Sequence, residues 1–332
     1  METFILKEIK KTSELIESLL FKYSSEFFKD YKDLHFEIVY NLKEKGLRIR
    51  PFLFRIGYES GGGNFKDILP IGAAIEFMQI ATLVMDDILD ESEIRNGRDS
   101  VYKKWGIKNS ILVGELLKSS STIILLQSIH KNKKFKNTYG VLNLFENVYK
   151  NINIGQYLDL SYENKKVITE AEYMNMIKNT TALFIQSSIK LGAMLSGASK
   201  EIQNSLSAYG LSLGYAYQIR DDVIDIIGEE KYVGKPIGSD IKRRKKRLPF
   251  IHAFSNASKS IKERLNTLYK INKMTDGEVK EIIELLNKCG SVEYSIKKVK
   301  YFCKKATNNI KAFKNRKVKI LLSELSELVS SF

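Results

Sequence analysis

The 332-residue sequence contains few of the residue types that build zinc sites, disulfides and serine-hydrolase triads. It has two cysteines, Cys289 and Cys303, and three histidines, His35, His130 and His252, all far apart along the chain. This scatter argues against a disulfide framework, a Cys/His zinc site and a Ser/His/Asp triad. The low cysteine content is typical of a reducing compartment, and we expect a cytoplasmic location.

Proline is also scarce, with four residues in the whole chain. Proline interrupts helices, so its scarcity permits long ones. Apolar residues recur at helical spacing in many segments, and no alternating run is long enough to predict a strand. The main helical segments are 3–30, 109–130, 138–160, 170–196, 200–227 and 291–330. The predicted fold class is all-α, with one domain over residues 1–332.

Long uncharged apolar runs are absent, and charge of one sign is in excess. We find no uncharged apolar run of about 18 residues and therefore expect no membrane span. The charged N-terminus is unlike a signal peptide. The net charge is +15, from 54 Lys and Arg against 39 Asp and Glu. This excess reflects either a lysine-biased composition or an anionic partner, such as a phosphorylated substrate, an anionic membrane surface or nucleic acid.

Two aspartate clusters with the same i, i+1, i+4 spacing are the strongest signal in the sequence. Each cluster ends an apolar helical run, and its first and last members share one helix face. The clusters are Asp86, Asp87 and Asp90, and Asp221, Asp222 and Asp225. Neighbouring carboxylates repel each other and are unfavourable near a helix C-terminus, and a divalent cation removes that conflict. Because only oxygen ligands are present, Mg²⁺ bound together with substrate phosphates is the predicted ligand.

The helix that leads into the first cluster suggests an apolar slot below it. Small side chains, Ala81 or Thr82, lie about one turn before Asp86, and large ones, Phe77 and Met78, lie further back. This order predicts an open slot whose floor is formed by Phe77 and Met78. Ordinary helix packing with alternating small and large residues is the alternative explanation.

Further motifs give the chain a clear resemblance to the trans-isoprenyl diphosphate synthases, the polyprenyl synthetase family. The two aspartate motifs occur in the family's order. Three more stretches are similar to its GQxxD motif, its aromatic-Gln pair and its GKP…D…K…LP loop. They are Gly155–Asp159, Tyr217-Gln218, and the loop that runs from Gly234-Lys235-Pro236 to Leu248-Pro249. The resemblance covers roughly residues 45–249.

The resemblance implies an antiparallel helical bundle around a central cavity, and usually a homodimer. It implies that the aspartate motifs hold Mg²⁺, three ions together with the substrate diphosphate, at the mouth of the cavity. An allylic diphosphate ionises there, and isopentenyl diphosphate attacks the resulting cation through its double bond. The released diphosphate takes up the proton. The growing product then extends down the apolar slot.

The resemblance also assigns roles to individual side chains. The expected isopentenyl diphosphate ligands are Arg50 and Gln79, with Arg48 nearby. The expected allylic-diphosphate side contains Arg95, Lys235 and Lys245, and Gln156 belongs to the GQxxD motif. Thr181 and Gln218 match polar residues that line the reaction centre. The expected catalytic residues are Asp86, Asp90, Asp221, Lys235, Thr181 and Gln218, and the expected chain-length residues are Phe77, Met78, Ala81 and Thr82.

Three positions depart from the family pattern by the loss of a cation. They are Leu47, Asn96 and Thr180. Each lost charge-assisted contact to a phosphate weakens binding by about 1.5–3 kcal/mol. Lys45, Arg48 and Lys178 are the candidates for compensation.

These departures keep several functions open. Chain elongation to geranylgeranyl length or longer is the leading hypothesis, because Ala81 and Thr82 are small. A class I terpene cyclase or an atypical prenyltransferase is the alternative, because of Leu47 and Asn96 and the cyclase-like spacing of Asp222, Asp225 and Glu229. A non-catalytic partner subunit is less favoured, because both acidic motifs are intact.

Nucleic-acid binding is the last hypothesis. The basic run at residues 242–247 has no interleaved aromatics, and the chain shows no recognised nucleic-acid-binding fold. We expect no nucleic-acid partner and interpret this run as a lid over phosphates whose surplus charge is solvated. Peripheral contact with an anionic membrane remains an open expectation.

Overall fold

The computed structural model describes residues 3–43, 46–228, 236–271 and 273–332, and most residues of these ranges are helical. The longer helices are α1 Phe4–Phe28, α2 Lys32–Leu42, α3 Ile49–Ser60, α4 Leu69–Leu89, α5 Val101–Lys131, α6 Thr138–Glu163, α7 Glu170–Ile177, α8 Leu183–Leu195 and α9 Lys200–Ile227. After them come α10 Ser239–Lys242, α11 Leu248–Asn256, α12 Lys259–Leu268, α13 Asp276–Lys288, α14 Ser291–Asn309 and α15 Arg316–Ser330. The predicted all-α class is confirmed.

Several helix starts follow from capping residues visible in the sequence. Thr169 with Glu172 forms a capping box at α7, and Thr275 with Glu278 forms one at α13. The hydroxyl of Ser199 accepts a hydrogen bond from the backbone N–H of Ile202 at the start of α9. Each cap satisfies a backbone donor that the first helical turn leaves unpaired.

A two-stranded hairpin follows the first aspartate motif. Strands β1 Ile94–Arg95 and β2 Arg98–Asp99 are antiparallel, with Ile94 opposite Asp99. The turn residues Asn96 and Gly97 have φ values of 51° and 72°. Asn and Gly tolerate this left-handed conformation, which a two-residue hairpin turn requires. The hairpin brings Arg95 back toward the end of α4.

Helix α4 lies inside the protein. It packs against α5, with α1 and α3 also in contact. The segment Phe65–Leu89 is long and apolar enough to cross a membrane by length and composition, but 67% of its most apolar window is buried inside the protein. The structure therefore accounts for its hydrophobicity as that of a core helix.

The segment predicted as one helix over 170–196 is divided by a π-turn at Lys178–Ala182. Two glycines allow neighbouring helices to approach this turn. A Cβ on Gly155 would lie 2.6 Å from the backbone N of Thr180, and one on Gly214 would lie 2.5 Å from the Cα of Ala182. The glycines thus let α6 and α9 pack closely on both sides of the turn that carries Thr181. Such π-turns are frequent at functional sites.

Candidate active site

The C-terminal parts of α4 and α9 line one cavity of about 410 Å³. Asp86 and Asp90 come from the first aspartate motif, and Asp221 and Asp222 come from the second. Two acidic helix ends that are far apart in the sequence therefore meet at one cavity. This is the arrangement that the repeated spacing predicted.

The carboxylates of the first motif are held by protein side chains. Arg95 donates from Nε to both oxygens of Asp87, at 2.8 and 2.9 Å, and from Nη2 to Asp86 at 2.9 Å. The Nε2 amide of Gln156 donates to the other oxygen of Asp86 at 2.7 Å. Asp87 is buried, and of these two aspartates only Asp86 lines the cavity.

The ammonium group of Lys245 connects three acidic side chains. Its Nζ lies 2.7 Å from Asp90, 2.8 Å from Asp159 and 2.7 Å from Glu163. The Lys245 side chain is only 1% exposed. Burial by itself lowers the pKa of a lysine, but the carboxylates of Asp159 and Asp90 raise the pKa of Lys245 above its ordinary value. Lys245 is therefore a fixed cation at the edge of the site.

Two of the carboxylates that contact Lys245, those of Asp90 and Asp159, have pKa values shifted in opposite directions. Burial and the nearby charge of Asp86 raise the pKa of Asp90, although Lys245 opposes this shift. Burial also acts to raise the pKa of Asp159, but Arg247 and Lys245 together hold it below its usual value. Asp159 is therefore a permanent anion that anchors two basic side chains.

The side chains of the basic run at residues 242–247 point alternately to two sides of the chain. Arg243, Lys245 and Arg247 reach acidic residues of the site, whereas Lys242 pairs with Asp276 and Arg244 donates to the carbonyl of Ile271. Lys246 is 4% exposed and lies over the rings of Phe250 and Tyr269. The expectation that the surplus charge of this run is solvated is wrong for Lys246, which is buried, whereas Lys242 is exposed.

The second motif contains a chain of hydrogen bonds that ends at Asp222. The hydroxyl of Thr181 donates to Oε1 of Gln218 at 2.6 Å, and the Gln218 amide donates to Asp222 at 3.0 Å. The hydroxyl of Tyr173 donates to the other oxygen of Asp222 at 2.6 Å. Burial raises the pKa of Asp222 to about 7, although Arg247 opposes the shift.

Asp225, the third member of this motif, does not line the cavity. It is buried, accepts a hydrogen bond from the hydroxyl of Ser239 at 2.7 Å, and accepts another from the backbone N–H of Asp240 at 3.1 Å. These bonds fix the start of α10 against α9. A metal-binding role for Asp87 or Asp225 stays a prediction.

A second pocket, of about 180 Å³, adjoins the cavity and shares Arg50, Gln79 and Asn96 with it. The Nε atom of Arg50 is buried and has no hydrogen-bond partner among the described residues. Burial lowers the pKa of Arg50, and nearby Tyr217 and Glu76 oppose this shift. A half-buried guanidinium whose Nε has no such partner is suited to an anionic ligand.

Two of the three positions that depart from the family pattern, Leu47 and Asn96, border this second pocket, whereas the third, Thr180, lines the main cavity. Leu47 is 51% exposed there, and Asn96 lies on the wall. Arg48 also borders the pocket, but its guanidinium donates to Glu76 at 2.6 Å in a buried ion pair. Lys178 is exposed and lines neither cavity.

Some of the predicted residues lie elsewhere. Phe77, Met78 and Ala81 are fully buried and do not line the cavity, whereas Thr82 does. The apolar part of the wall also contains Leu83, Ile152, Met176 and Ile177. The floor predicted at Phe77 and Met78 stays a prediction. Lys235, Lys45 and Glu229 lie outside the described residues.

Other site residues were not singled out from the sequence. Arg243 and Arg247 line the cavity, and Asp159, which also lines it, holds both Lys245 and Arg247. Arg243 donates to the hydroxyl of Ser92 at 2.9 Å. Their position could have been inferred from the basic residues at 243, 245 and 247. Every second side chain of an extended segment lies on the same side, so these three are expected to face the site together.

The oxygen ligands at the cavity fit magnesium, provided that substrate phosphates supply some of its ligands. Within the described ranges, no three His, Cys, Asp or Glu side chains are close enough to form a metal site by themselves. The cavity still offers carboxylate oxygens from both motifs, the ligand type that Mg²⁺ prefers. Mg²⁺ generally takes further ligands from substrate phosphates, so the arrangement suits a metal that arrives with a diphosphate.

Comparisons with known proteins identify this architecture. The profile of the polyprenyl synthetase family matches residues 32–286. The chain belongs to the polyprenyl synthetase family. This synthetase is 33% identical over 250 residues to the short chain isoprenyl diphosphate synthase of Methanocaldococcus jannaschii, covering 75% of this chain and 74% of that protein. It is 30% identical over 299 residues to the geranylgeranyl diphosphate synthase of Saccharolobus solfataricus, covering 90% of each.

Solved structures agree with the sequence relatives. The crystal structure of geranylgeranyl pyrophosphate synthetase from Pyrococcus horikoshii superposes with a TM-score of 0.90 at 32% identity, covering 99% of this chain and 98% of that one. The synthetase is therefore a chain-elongating trans-prenyltransferase. The cyclase alternative gains no support from these relatives.

Proposed function

We propose that this synthetase condenses an allylic diphosphate with isopentenyl diphosphate and releases a trans-polyprenyl diphosphate of geranylgeranyl length or longer. The observation that carries the proposal is the meeting of both aspartate motifs at one cavity, beside a pocket that contains the half-buried guanidinium of Arg50. One cavity supplies carboxylates for a metal-bound diphosphate, and the other supplies a cation for a second diphosphate.

Asp86, Asp90, Asp221 and Asp222 are the proposed metal ligands, because they line the cavity. Bound magnesium, expected as three ions together with the substrate diphosphate, supplies Lewis-acid neutralisation of the departing diphosphate. Arg95 and Arg243 also line the cavity and add positive charge on the same side as the first motif. Lys245 acts indirectly by holding Asp90 in position.

The polar residues of the π-turn and α9 have a separate role. Thr181 and Gln218 line the cavity and are bonded to each other. We propose that their oxygen dipoles stabilise the positive charge on the allylic carbon when its bond to the diphosphate breaks. Because the described lining residues include no histidine, the released diphosphate is the proposed proton acceptor.

The second pocket is the proposed site of isopentenyl diphosphate, with Arg50 and Gln79 as ligands. Leu47 and Asn96 supply no charge there, and Arg48 is already paired with Glu76. We therefore expect weak binding of isopentenyl diphosphate and a high KM. Arg50 is retained and supplies the charge for the second diphosphate in this pocket.

A homodimer is the proposed assembly, and its interface is an apolar surface on α5 and α6. Large side chains there are exposed, among them Leu112 at 61%, Tyr139 at 81% and Tyr157 at 71%. Ile111, Ile123, Leu126 and Ile154 are also exposed on these helices. Exposed apolar surface of this kind is typical of a subunit contact. Sedimentation of the Leu112→Glu variant tests this assignment, with a monomer expected.

Product analysis tests the function. The protein is incubated with Mg²⁺, isopentenyl diphosphate and dimethylallyl, geranyl or farnesyl diphosphate, and the products are measured by mass spectrometry. We expect longer diphosphates only when isopentenyl diphosphate is present, with geranylgeranyl diphosphate as the shortest final product. Hydrocarbon or alcohol formed from the allylic diphosphate alone would refute the proposal.

A further inference from the structure

Positive charge is concentrated in one short part of the chain, away from the active site. Residues 288–319 contain eleven Lys or Arg and one Asp or Glu, a net charge of +10 out of +15 for the whole protein. These residues include helix α14 and the beginning of α15. A uniform lysine bias spreads charge along the sequence, so it does not account for this concentration.

Helix α14 has one buried face and one basic face. Val292, Val299, Cys303 and Ala306 are buried and face the core. The exposed residues Lys297, Lys300, Tyr301, Lys304 and Lys305 recur at intervals of three and four, which is the spacing of one helix side. The side of α14 that faces away from the protein core is therefore a row of lysines around one tyrosine.

The row continues into the connection to α15. Lys311, Lys314, Arg316 and Lys317 are all exposed. We define the basic face as Lys297, Lys300, Lys304, Lys305, Lys311, Lys314, Arg316 and Lys317. None of these residues lines the catalytic cavity or the pocket beside it.

Most of this charge has no counter-charge in the part of the chain that the structure describes. Lys297 pairs with Glu293, and Lys298, which is outside the basic face, pairs with Glu170. The remaining seven side chains of the basic face have no hydrogen bond or ion pair with a described residue. The basic face is thus an uncompensated surface of like charge, which favours an extended anionic partner.

The composition of the basic face favours a lipid surface over a nucleic acid. Seven of its eight members are lysine, whereas planar recognition of phosphates and bases favours arginine. Tyr301, 57% exposed, is the one large exposed aromatic on α14, which gives no row of aromatics for stacking bases. Tyrosine is enriched at the membrane interface, and Ile320 on α15 adds an exposed apolar side chain.

We propose that the basic face docks the protein on an anionic lipid bilayer, with Tyr301 at the level of the headgroups. Lysines near an anionic bilayer each contribute about 1 kcal/mol, so several together give measurable but reversible binding. The interaction is electrostatic and weakens as salt shortens the range of the charges. It involves no catalytic residue and does not depend on the proposed product.

Vesicle flotation tests the proposal with two variants of equal net charge. The first carries Lys300→Gln, Lys304→Gln and Lys305→Gln on the basic face. The control carries Lys131→Gln, Lys133→Gln and Lys134→Gln at exposed positions near the end of α5. Vesicles are made of phosphatidylcholine with or without phosphatidylserine. A parallel titration uses a labelled oligonucleotide.

We expect the wild-type protein to bind only the phosphatidylserine vesicles, with affinity that falls at high salt. The basic-face variant binds about a hundredfold more weakly, as three lysines near the surface imply, whereas the control loses much less. Catalytic rates on soluble substrates stay unchanged in both variants, which shows that they are folded. Equal losses in the two variants, no binding by the wild type, or loss of oligonucleotide binding without vesicle binding would each overturn the proposal.

Discussion

The Nζ atom of Lys245 lies 2.7 Å from a carboxylate oxygen of Asp90, although the two residues are far apart in the sequence. The same ammonium group contacts Asp159, the last residue of the Gly155–Asp159 motif. One buried cation thus joins the first aspartate motif, the α6 motif and the segment after α10. We expect the position of Asp90 in the catalytic cavity to depend on this connection.

Replacement of Lys245 by Gln should destabilise the protein strongly. It removes the nearest cation of Asp90 and leaves the buried carboxylate of Asp159 with Arg247 alone, and breaking a buried pair costs about 3–5 kcal/mol. The matched control is Lys242→Gln, because Lys242 pairs with the exposed Asp276 and should change stability little. Urea unfolding followed by circular dichroism measures both. Similar midpoints for the two variants would show that Lys245 does not hold the site together.

The second pocket should gain affinity when its missing charge is restored. Leu47→Lys adds a cation at its border, and one charge-assisted phosphate contact lowers the KM for isopentenyl diphosphate by about tenfold or more. Arg50→Gln should raise the same KM by a similar factor or more. The KM for the allylic diphosphate should stay nearly constant in both, and Leu47→Gln is the uncharged control. If the changes fall on the allylic substrate instead, the assignment of the two pockets is reversed.

Thr181→Val should lower kcat by about tenfold, because it removes the hydroxyl that holds Gln218 beside Asp222. Thr180→Val is the control, because Thr180 lines the same cavity but does not bond to Gln218. We expect the control to retain most of its activity. Steady-state rates at saturating substrate, with melting temperatures for both variants, measure the difference. Equal rates for the two variants would exclude this role for Thr181.

Asp222 should make stability depend on pH. Its pKa is raised to about 7 in the folded protein, mainly by burial, so the folded state favours the protonated form. The protonated Asp222 therefore stabilises the folded state. This stabilisation is complete below the pKa of Asp222 in the unfolded chain, and it is lost by about 1.4 kcal/mol per pH unit as the pH rises to 7. Above pH 7 the loss is constant.

The Asp222→Asn variant isolates this effect. It cannot ionise, so its free energy of unfolding should exceed that of the wild type by an amount that grows from pH 5 to pH 7 and then levels off. Chemical unfolding without divalent ions at several pH values measures the difference. Activity should fall in the same variant. A difference that does not change with pH would show that Asp222 has an ordinary pKa.

The sequence allowed much of the site to be predicted, because the informative patterns were local. The spacing of Asp86 and Asp90 on one helix face, the capping box at Thr169 and the Gly155–Asp159 motif each involve neighbouring positions. The role of Arg247 was missed because its partners, Asp159 and Asp240, lie on different elements. Local sequence does not distinguish a buried lysine from a solvated one.

The floor of the apolar slot also could not be predicted from local sequence alone. Helical spacing predicted that Phe77 and Met78 close it, and both are fully buried in the core. Which residues bound the open space depends on how α4 packs against α5 and α6. The sequence of α4 contains only one side of that contact.

Binding of an unreactive allylic thiodiphosphate tests most directly whether both aspartate motifs act on one diphosphate. Calorimetry with Mg²⁺ present compares the wild type with Asp86→Asn, Asp221→Asn and the double variant. We predict that each single substitution raises the Kd at least about tenfold, as expected for loss of a strong charged contact, and that EDTA weakens wild-type binding similarly. The double variant should lose little more than either single variant. An unchanged Kd for Asp221→Asn, with Asp86→Asn impaired, would contradict a shared site.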